Sequence, residues 1–451
     1  MKLTHLAVVF AAINAVASHA ATYVLSAPTW GDAQNAAVVS AGGSVRFAHA
    51  GSGVAVVHSE DARFLASVLR GGAITSGTED VTVQWQTPLA APEASFVEAA
   101  VNPANDTLYG LQWAPKAIEA PAAWALGFDG TGVRVAVIDG GVYAAHVDLA
   151  ANMDVAASRS FVAPSPLATP AVNACRTAFN CDTGTFWHGT HVSGIIAAVD
   201  NSTGVVGIAP KAKIIAVKAL HSGSGSFGAI IQAILYAADV ANADIINMSL
   251  GAEFNRNEKG AAELIAALNR AVNFATRRGS LVVVAAGNSE LNLDQEKNLI
   301  VTPAESGNAI AISATAPLAW AYGATNYERP ASYSNYGSSL VWAAAPGGDF
   351  AYPGNENCTM VGVTRPCWVF DLVFSTVRGS GVSGSYGWAA GTSMAAPAAA
   401  AVAALIKQRD PSATPAQLKT KLAQSATDQG KVGHDAFYGR GFVNARRAVT
   451  Q

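Results

Sequence analysis

The 451-residue sequence has few charged residues, since Asp, Glu, Lys and Arg make up only 13% of it while 51% is hydrophobic. This composition argues against a disordered chain, because enough apolar surface is available to form a large core. The formal net charge is −3 and no dense Lys/Arg run is present, so nothing in the charge pattern favours nucleic acid as a partner. Partners must be inferred from sites instead.

The sequence also lacks an apolar run long enough to span a bilayer, which takes about 20 residues. The first twenty residues begin with Lys2 and His5, continue with the apolar run Leu6–Val16 and end in an A-x-A-like sequence at 18–20. This is the pattern of an export signal, and the run is shorter than the ~20 residues that span a bilayer. We predict that residues 1–20 are a signal peptide and that the exported protein is secreted without a membrane anchor. The alternative is a buried N-terminal helix.

Cysteine is scarce, with four residues at positions 175, 181, 358 and 367. Four cysteines allow three pairings, of which the short local loops favour Cys175–Cys181 and Cys358–Cys367. Metal binding is the weaker alternative because neither pair has C-x-x-C spacing. We expect these disulfides to brace loops in an oxidising compartment.

Residues 21–100 have the pattern of a small α+β domain. Short β-type runs flank a helix predicted between Ser59 and Gly71, with Ser59 as its N-cap. The alternation of apolar and polar residues over Val81–Trp85 predicts a half-buried strand of the same domain. The Ala- and Pro-rich stretch Pro88–Asn105 is typical of a linker.

From about residue 106 onward, short apolar strands alternate with helices. The predicted strands are Val133–Ile138, Ile214–Leu220, Ile245–Met248, Leu281–Ala286 and Ile310–Ala314. The predicted helices are His188–Val199, Phe227–Ala241, Ala261–Arg278 and Ser393–Gln408. This order predicts an α/β domain with a mostly parallel sheet covered on both faces, and such sheets bind ligands beyond the carboxyl ends of their strands.

Four polar residues stand in distinctive settings along this second domain. Asp139 ends Val-Ala-Val-Ile-Asp, His188 opens His-Gly-Thr-His, Asn288 ends Val-Val-Ala-Ala-Gly-Asn, and Ser393 lies in Gly-Thr-Ser-Met-Ala-Ala-Pro. Taken alone, each of these residues has a simpler interpretation as a helix cap or a turn former. Together they supply a nucleophile, a base, a group that orients the base and an oxyanion donor, which peptide hydrolysis requires.

These four settings, in this order along the chain, resemble those of subtilisin-type serine peptidases. The resemblance implies a subtilisin-like three-layer domain at 101–451 in which Ser393 attacks the peptide carbonyl, forming an acyl-enzyme. His188 would be the general base, Asp139 would orient it, and Asn288 would help to form the oxyanion hole. His191 is interpreted as a structural neighbour. One departure is Gly140, where the family commonly has Ser or Thr that can bond the carboxylate.

The resemblance also places substrate-binding segments. Two short backbone segments would pair with an extended peptide, which is recognition by strand addition and favours broad specificity. The expected substrate-binding residues are Ser224, Gly225, Ser249, Leu250, Gly251 and Gly287.

A structural calcium ion is the expected cofactor, and no catalytic cofactor is expected. The resemblance implies a site made of carboxylates, an amide and backbone carbonyls, the hard oxygen ligands that calcium prefers. The expected ligand residues are Asp106, Asp148, Val199, Asn201, Thr203 and Val205. A capped turn without an ion is the alternative.

Residues 21–100 are similar to the family's propeptide, which assists folding and blocks the cleft. Self-cleavage is then expected between Ala90 and Asp106, giving a monomer that acts on polypeptides. A permanent binding domain is the alternative for this region. For the whole chain the alternatives are an α/β-hydrolase esterase, which the missing Gly-x-Ser-x-Gly motif disfavours, and a catalytically silent binding protein.

Overall fold

The computed structural model describes residues 20–86 and 106–451, together with the backbone of Val97 and Glu98. A small α+β domain comes first. Its elements are β1 (Ala21–Ser26), α1 (Asp32–Ser40), β2 (Gly43–His49), β3 (Val54–Ser59), α2 (Phe64–Arg70) and β4 (Ser76–Glu79). The strands form an antiparallel sheet in the order β2-β3-β1-β4.

The side chains of strand β1 pack into a different hydrophobic core on each face of the small sheet. Tyr23 and Leu25 pack with the residues of α1 and α2, and the Tyr23 ring centroid lies 5.0 Å from that of Phe64. Val24 points to the opposite face and packs into a core of the second domain. The strict alternation of side chains along a strand therefore lets one strand serve two cores.

Two sequence predictions for this region are wrong in detail. Ser59 is not a helix cap: it is the last residue of β3, its hydroxyl donates to the Gly42 carbonyl at 2.9 Å, and helix α2 begins only at Phe64. The strand predicted at Val81–Trp85 exists as β5 (Thr82–Gln84), but it pairs with the second domain instead of with the small sheet. The alternating pattern predicts a strand without identifying its partner.

The second domain contains the remaining elements. Its strands are β6 (Val97–Glu98), β7 (Arg134–Asp139), β8 (Arg159–Ser160), β9 (Lys213–Lys218), β10 (Ser224–Ser226), β11 (Ile245–Met248), β12 (Ala252–Asn255), β13 (Leu281–Ala285), β14 (Leu299–Thr302), β15 (Ile310–Ala316), β16 (Arg329–Pro330), β17 (Val341–Pro346), β18 (Asn357–Met360), β19 (Val363–Pro366), β20 (Val373–Val377) and β21 (Ser385–Ala389). Its α-helices are α3 (Ala114–Ala117), α4 (Ala120–Ala125), α5 (Pro170–Thr177), α6 (His188–Ala197), α7 (Phe227–Asp239), α8 (Ala261–Arg278), α9 (Thr392–Arg409), α10 (Pro415–Ser425) and α11 (Ala445–Thr450). Short 3-10 helices lie at Tyr109–Leu111, Ala150–Asn152, Trp320–Tyr322 and Cys367–Asp371.

The central sheet runs β16-β15-β13-β11-β7-β9-β8, with β17 also paired to β15. Its pairs are parallel except for β15 with β16. In β7, Val135 and Val137 pack with α6 and α9 on one face, whereas Ala136 and Ile138 pack with α7 and α8 on the other. The sheet is therefore buried between two helical layers, as predicted, which explains why its strands are apolar at consecutive positions.

The small domain rests on α7 and α8. The carboxylate of Asp80 accepts the Gly228 N–H at 3.0 Å near the start of α7, and Arg270 of α8 donates to the Ala27 carbonyl at 2.9 Å. The His49 ring lies edge-on to Phe274 with ring centroids 4.4 Å apart. These polar and aromatic contacts fix the small domain on α7 and α8 of the second domain.

Both expected disulfides, Cys175–Cys181 and Cys358–Cys367, are formed, so all four cysteines are paired. The first closes the loop after α5, and the second links β18 to the residue after β19. None of the helices within residues 20–86 and 106–451 has both the length and the apolar character needed to cross a bilayer.

Candidate active site

The four residues singled out in the sequence lie at one edge of the central sheet, where Asp139 contacts His188 and Asn288 contacts Thr392, the residue before Ser393. The Ser393 hydroxyl is bonded to the Ser249 carbonyl and not to His188. Asp139 is the last residue of β7 and Asn288 follows β13 by three residues, while His188 is the first residue of α6 and Ser393 the second of α9. Strands β7 and β13 flank β11 in parallel, so their carboxyl ends lie at the same edge. This is the edge at which open α/β sheets bind ligands.

Asp139 and His188 form a pair in which the carboxylate is buried and the imidazole is 14% exposed. The distance from Asp139 Oδ2 to His188 Nδ1 is 2.9 Å, and Asp139 Oδ1 accepts the Gly140 N–H at 2.7 Å. An ionised carboxylate can only accept, so Nδ1 carries the proton of the neutral ring and Nε2 is left as a proton acceptor. Burial alone lowers the pKa of His188, but the charge and hydrogen bond of Asp139 and the charge of Asp182 raise it above its ordinary value.

Ser393 is tied to Ser249, which follows β11. Pro397 lies four residues along α9 and has no N–H, so the Ser393 carbonyl has no helical donor. The Ser249 hydroxyl donates to that carbonyl at 2.7 Å, and the Ser393 hydroxyl donates to the Ser249 carbonyl at 3.3 Å. The backbone N–H of Ser393 belongs to the first helical turn, where such groups have no partner within the helix.

The side chain of Asn288 is oriented by Thr392. Its Oδ1 accepts two hydrogen bonds from Thr392, one from the backbone N–H at 2.9 Å and one from the hydroxyl at 2.8 Å. With Oδ1 engaged, the Nδ2 donor is free to face a cavity of about 170 Å³ that Gly287, Asn288 and Ser393 help to line. Thr392 could have been singled out from the sequence, since it is the middle residue of Gly-Thr-Ser.

Gly287 adopts a conformation that a side chain would not allow. Its φ is +101°, and a Cβ there would lie 2.3 Å from the Asn335 side-chain amide nitrogen. Asn335 in turn accepts the N–H groups of Ser289 and Leu291 at 2.9 and 3.0 Å. No motif in the sequence pointed to Asn335, yet it shapes the loop that presents Asn288.

The expected substrate-binding segments border a groove that β5 occupies. Gln84 and Val83 pair antiparallel with Ser224 and Gly225 of β10. On the other side the Gly251 N–H donates to the Trp85 carbonyl at 2.9 Å. The structure thus places an extended segment of the chain itself between both expected walls.

Trp85 and Gln86 were not singled out from the sequence. The Trp85 ring is 1% exposed, packs edge-on to Phe227 with centroids 4.9 Å apart and donates to the Gly225 carbonyl at 2.8 Å. The amide nitrogen of Gln86 donates to the Ser249 carbonyl at 3.4 Å. It also lies 3.0 Å from His188 Nδ1, which is a contact without a hydrogen bond because Nδ1 donates its proton to Asp139. The first domain therefore extends into the candidate active site.

The residues expected to bind calcium also lie together, namely Asp106, Asp148, Val199, Asn201, Thr203 and Val205. Asp106 Oδ1 accepts the N–H groups of Asn201 and Thr203 at 3.3 and 3.2 Å. Asp148 accepts the Val205 N–H at 3.0 Å and the Asn201 side-chain amide at 3.2 Å, and its carbonyl accepts the N–H of residue 199. Burial raises the pKa of Asp148 to about 7 and, with a hydrogen bond from Asp200, the pKa of Asp106 to about 6.

Across residues 20–86 and 106–451, no three or more His, Cys, Asp or Glu side chains are grouped so that they could hold a metal ion. The cluster around Asp106 and Asp148 consists instead of carboxylates, one amide and backbone groups. Two carboxylates whose pKa values rise on burial lack a compensating charge, which fits a cation-binding position.

His191 behaves as the structural neighbour that was expected. It is fully buried in α6, its Nε2 lies 3.1 Å from the Gly387 carbonyl oxygen, and burial lowers its pKa to about 3. It therefore stays neutral and is bonded to the backbone of β21.

The chain is similar in sequence to known proteins. Residues 130–441 match the model of the Subtilase family. The chain is 36% identical over 340 residues to Subtilisin Savinase of Lederbergia lenta, covering 75% of this chain and 98% of that protein. It is also 36% identical over 359 residues to M-protease of Shouchella clausii, covering 79% of this chain and 74% of that protein.

Solved structures give the same result at the level of the fold. The epidermin leader peptide processing serine protease of Staphylococcus aureus has a TM-score of 0.73 at 21% identity, covering 96% of this chain and 98% of that one. A protease structure from Pseudoalteromonas arctica has a TM-score of 0.57 at 30% identity, covering 77% of this chain and 99% of that one.

Proposed function

Because this chain is a serine-type peptidase that belongs to the Subtilase family, we propose that Ser393, His188 and Asp139 form its catalytic triad. The main support is the 2.9 Å contact between His188 Nδ1 and Asp139 Oδ2, at the same sheet edge as the helix that carries Ser393. That contact leaves Nε2 of the imidazole to take the proton of the hydroxyl.

In this mechanism Ser393 Oγ attacks the peptide carbonyl carbon as His188 Nε2 accepts its proton. The developing oxyanion is bound by Asn288 Nδ2 and the Ser393 N–H, the two donors whose orientation Thr392 and helix α9 fix. The imidazolium then gives its proton to the leaving amine, which departs and leaves an acyl-enzyme. Water, deprotonated by His188, hydrolyses the acyl-enzyme and regenerates the hydroxyl.

The proposed substrates are extended polypeptides that bind by strand addition between β10 and residues 249–251. Support comes from β5, which makes main-chain hydrogen bonds to both segments. Because main-chain hydrogen bonds do not read sequence, the proposed activity is that of a broad endopeptidase acting as a monomer.

Residues 21–100 are proposed to be a propeptide that inhibits the enzyme before it is removed. The buried Trp85 and the contact between Gln86 and His188 support this role, because they close the groove to other peptides. The proposed self-cleavage between Ala90 and Asp106 falls outside the described side chains, and of residues 90–105 only the backbone of Val97 and Glu98, paired with β21, is described.

Secretion is proposed from the signal-like residues 1–20, of which residues 1–19 lie outside the described part of the chain. The two disulfides support it, since such bonds persist in oxidising compartments outside the cytosol.

Calcium is proposed to stabilise the loop between α6 and β9. Asp106 and Asp148 would supply carboxylates, Asn201 its side-chain oxygen, and residues 199, 203 and 205 their carbonyls. In the structure the Asn201 amide nitrogen faces Asp148, so a bound ion requires the amide to turn over. The ion would neutralise the buried carboxylates and has no role in the chemical step.

The test is labelling and turnover of the full chain and its Ser393→Ala variant. We expect the wild type to react with a serine-directed fluorophosphonate and to cleave casein, and the variant to do neither and to remain uncleaved in a host without other proteases. Ser412→Ala is the matched control, because Ser412 is an exposed serine that is not part of the candidate active site. This variant should behave as the wild type. Casein cleavage by Ser393→Ala would refute the assignment, and ester hydrolysis without peptide hydrolysis would favour an esterase.

A further inference from the structure

Gly140, the residue that departs from the family pattern, is packed against a second carboxylate. A Cβ on Gly140 would lie only 2.3 Å from Asp182 Oδ2. At Gly141, whose φ is +139°, a Cβ would lie 2.6 Å from the Cys181 carbonyl oxygen. The loop closed by the Cys175–Cys181 disulfide therefore rests directly on the backbone after Asp139, and this contact requires both glycines.

A buried lysine joins this loop to the sheet. Lys218 is the last residue of β9 and is paired in register with Asp139. Its ammonium group is fully buried, donates to the carbonyls of Gly140 and Cys181, the latter at 2.7 Å, and lies 3.9 Å from Asp182 Oδ1. The Asp182 side chain is only 8% exposed. A buried ammonium group needs such partners, because an unpaired charge in the interior is strongly unfavourable.

We propose that Asp182 is a positioning residue of the candidate active site. Together with Lys218, Asp182 holds the backbone of Asp139 and Gly140 in place. Its negative charge also stabilises the imidazolium form of His188, which arises in each half-reaction. The proposal rests on the triad assigned above. It gives a role to a residue that no sequence motif marked, and it explains how the chain dispenses with a hydroxyl at position 140.

The local charges support this role. The negative charges of Asp139 and Asp182 both favour the imidazolium form of His188, and Lys218 is the buried cation of this cluster. Burial raises the pKa of Asp182 to about 6 and lowers that of Lys218 to about 8, so both are mostly charged near pH 7. The other titratable or charged groups that act on this cluster are Arg176 and His221, which act on Lys218, and the neutral His191.

The test is the pH dependence of kcat/KM for the active enzyme and for Asp182→Asn, which keeps the shape of the side chain. Removing this negative charge destabilises the imidazolium and lowers the pKa of His188. The acid limb of the profile should therefore move to lower pH by about half a unit, the size expected of one nearby charge in a partly buried site.

Asp371→Asn is the matched control. Asp371 is also a buried carboxylate that accepts two backbone N–H groups, from Ala319 and Trp320 at 2.8 and 2.7 Å. This variant should lose stability without moving the acid limb. A lower kcat/KM in Asp182→Asn with an unmoved acid limb would show a merely structural role and overturn the proposal, as would an unchanged enzyme.

Gly140→Ala is the second variant and decides the matter if Asp182→Asn does not fold. The added methyl group must displace the Asp182 carboxylate, so the acid limb should move in the same direction, and an unmoved limb would count against the proposal. Activity that survives in Ser393→Ala would instead refute the triad, which keeps the two failures distinct.

Discussion

Removing the Asn288 side chain tests the proposed oxyanion hole, in which Asn288 is a donor that is oriented before the substrate binds. Asn288→Ala deletes Nδ2, whose direction is set by the two hydrogen bonds from Thr392 to Oδ1 at 2.9 and 2.8 Å. Loss of one oxyanion-hole donor costs about 2.7–4 kcal/mol of transition-state stabilisation, a range established in subtilisin itself. We therefore expect kcat to fall by about 10²–10³ with little change in KM.

The hydrogen bonds from Thr392 allow a more demanding version of this experiment. Thr392→Val removes the hydroxyl that anchors Oδ1 but keeps the backbone N–H, so it should lower kcat about five-fold, equivalent to ~1 kcal/mol. The same hydroxyl accepts the Gly287 N–H at 3.1 Å. Thr392→Ser keeps both hydrogen bonds and is the matched control, with kcat close to that of the wild type.

The assay is steady-state hydrolysis of a chromogenic peptide by the wild type, the two single variants and the double variant. If Thr392 acts through Asn288, then Thr392→Val should lower kcat much less in the Asn288→Ala background than in the wild type. Fully additive effects would show that Thr392 does not act by orienting the amide. A rise in KM alone in Asn288→Ala would refute the oxyanion role, because it would report loss of ground-state binding.

Two further predictions use the full chain carrying Ser393→Ala, which avoids self-digestion. Trp85→Ala should make the backbone amides of Thr82–Gln84 exchange with deuterium at least about ten-fold faster, because the indole packed against two phenylalanine rings is lost. Unchanged protection of these amides would show that Trp85 does not hold β5 in the groove. In the presence of a chelator, the melting temperature should fall as the pH rises from about 4 to about 7. Burial raises the pKa values of Asp106 and Asp148 to about 6 and 7. In this pH range the native state therefore holds protons that the unfolded chain has released. Added Ca²⁺ should raise the melting temperature most near pH 7, and a melting temperature indifferent to both pH and Ca²⁺ would contradict the calcium site.

The sequence by itself determined the class of the fold and where the chemical groups lie along it. Consecutive apolar residues such as those of Val135–Ile138 can only be satisfied by a sheet covered on both faces, so a parallel sheet between helices followed from the pattern. The Asp, His, Asn and Ser settings were recognisable because each lies where a strand ends or a helix begins, and short-range signals mark those positions well. Both disulfides were predictable because their loops are short.

Only the tertiary structure decided which distant segments meet. The alternation of Val81–Trp85 predicted a strand, but its pairing with β10 depends on where the small domain docks, which no local pattern records. Asp182 and Lys218 are 36 residues apart and belong to no motif, yet the loop closed by a disulfide brings the carboxylate onto Gly140, where only the absence of a side chain leaves room. Local preferences are encoded within a few residues, whereas the surroundings of His188 result from contacts between segments that are remote in sequence.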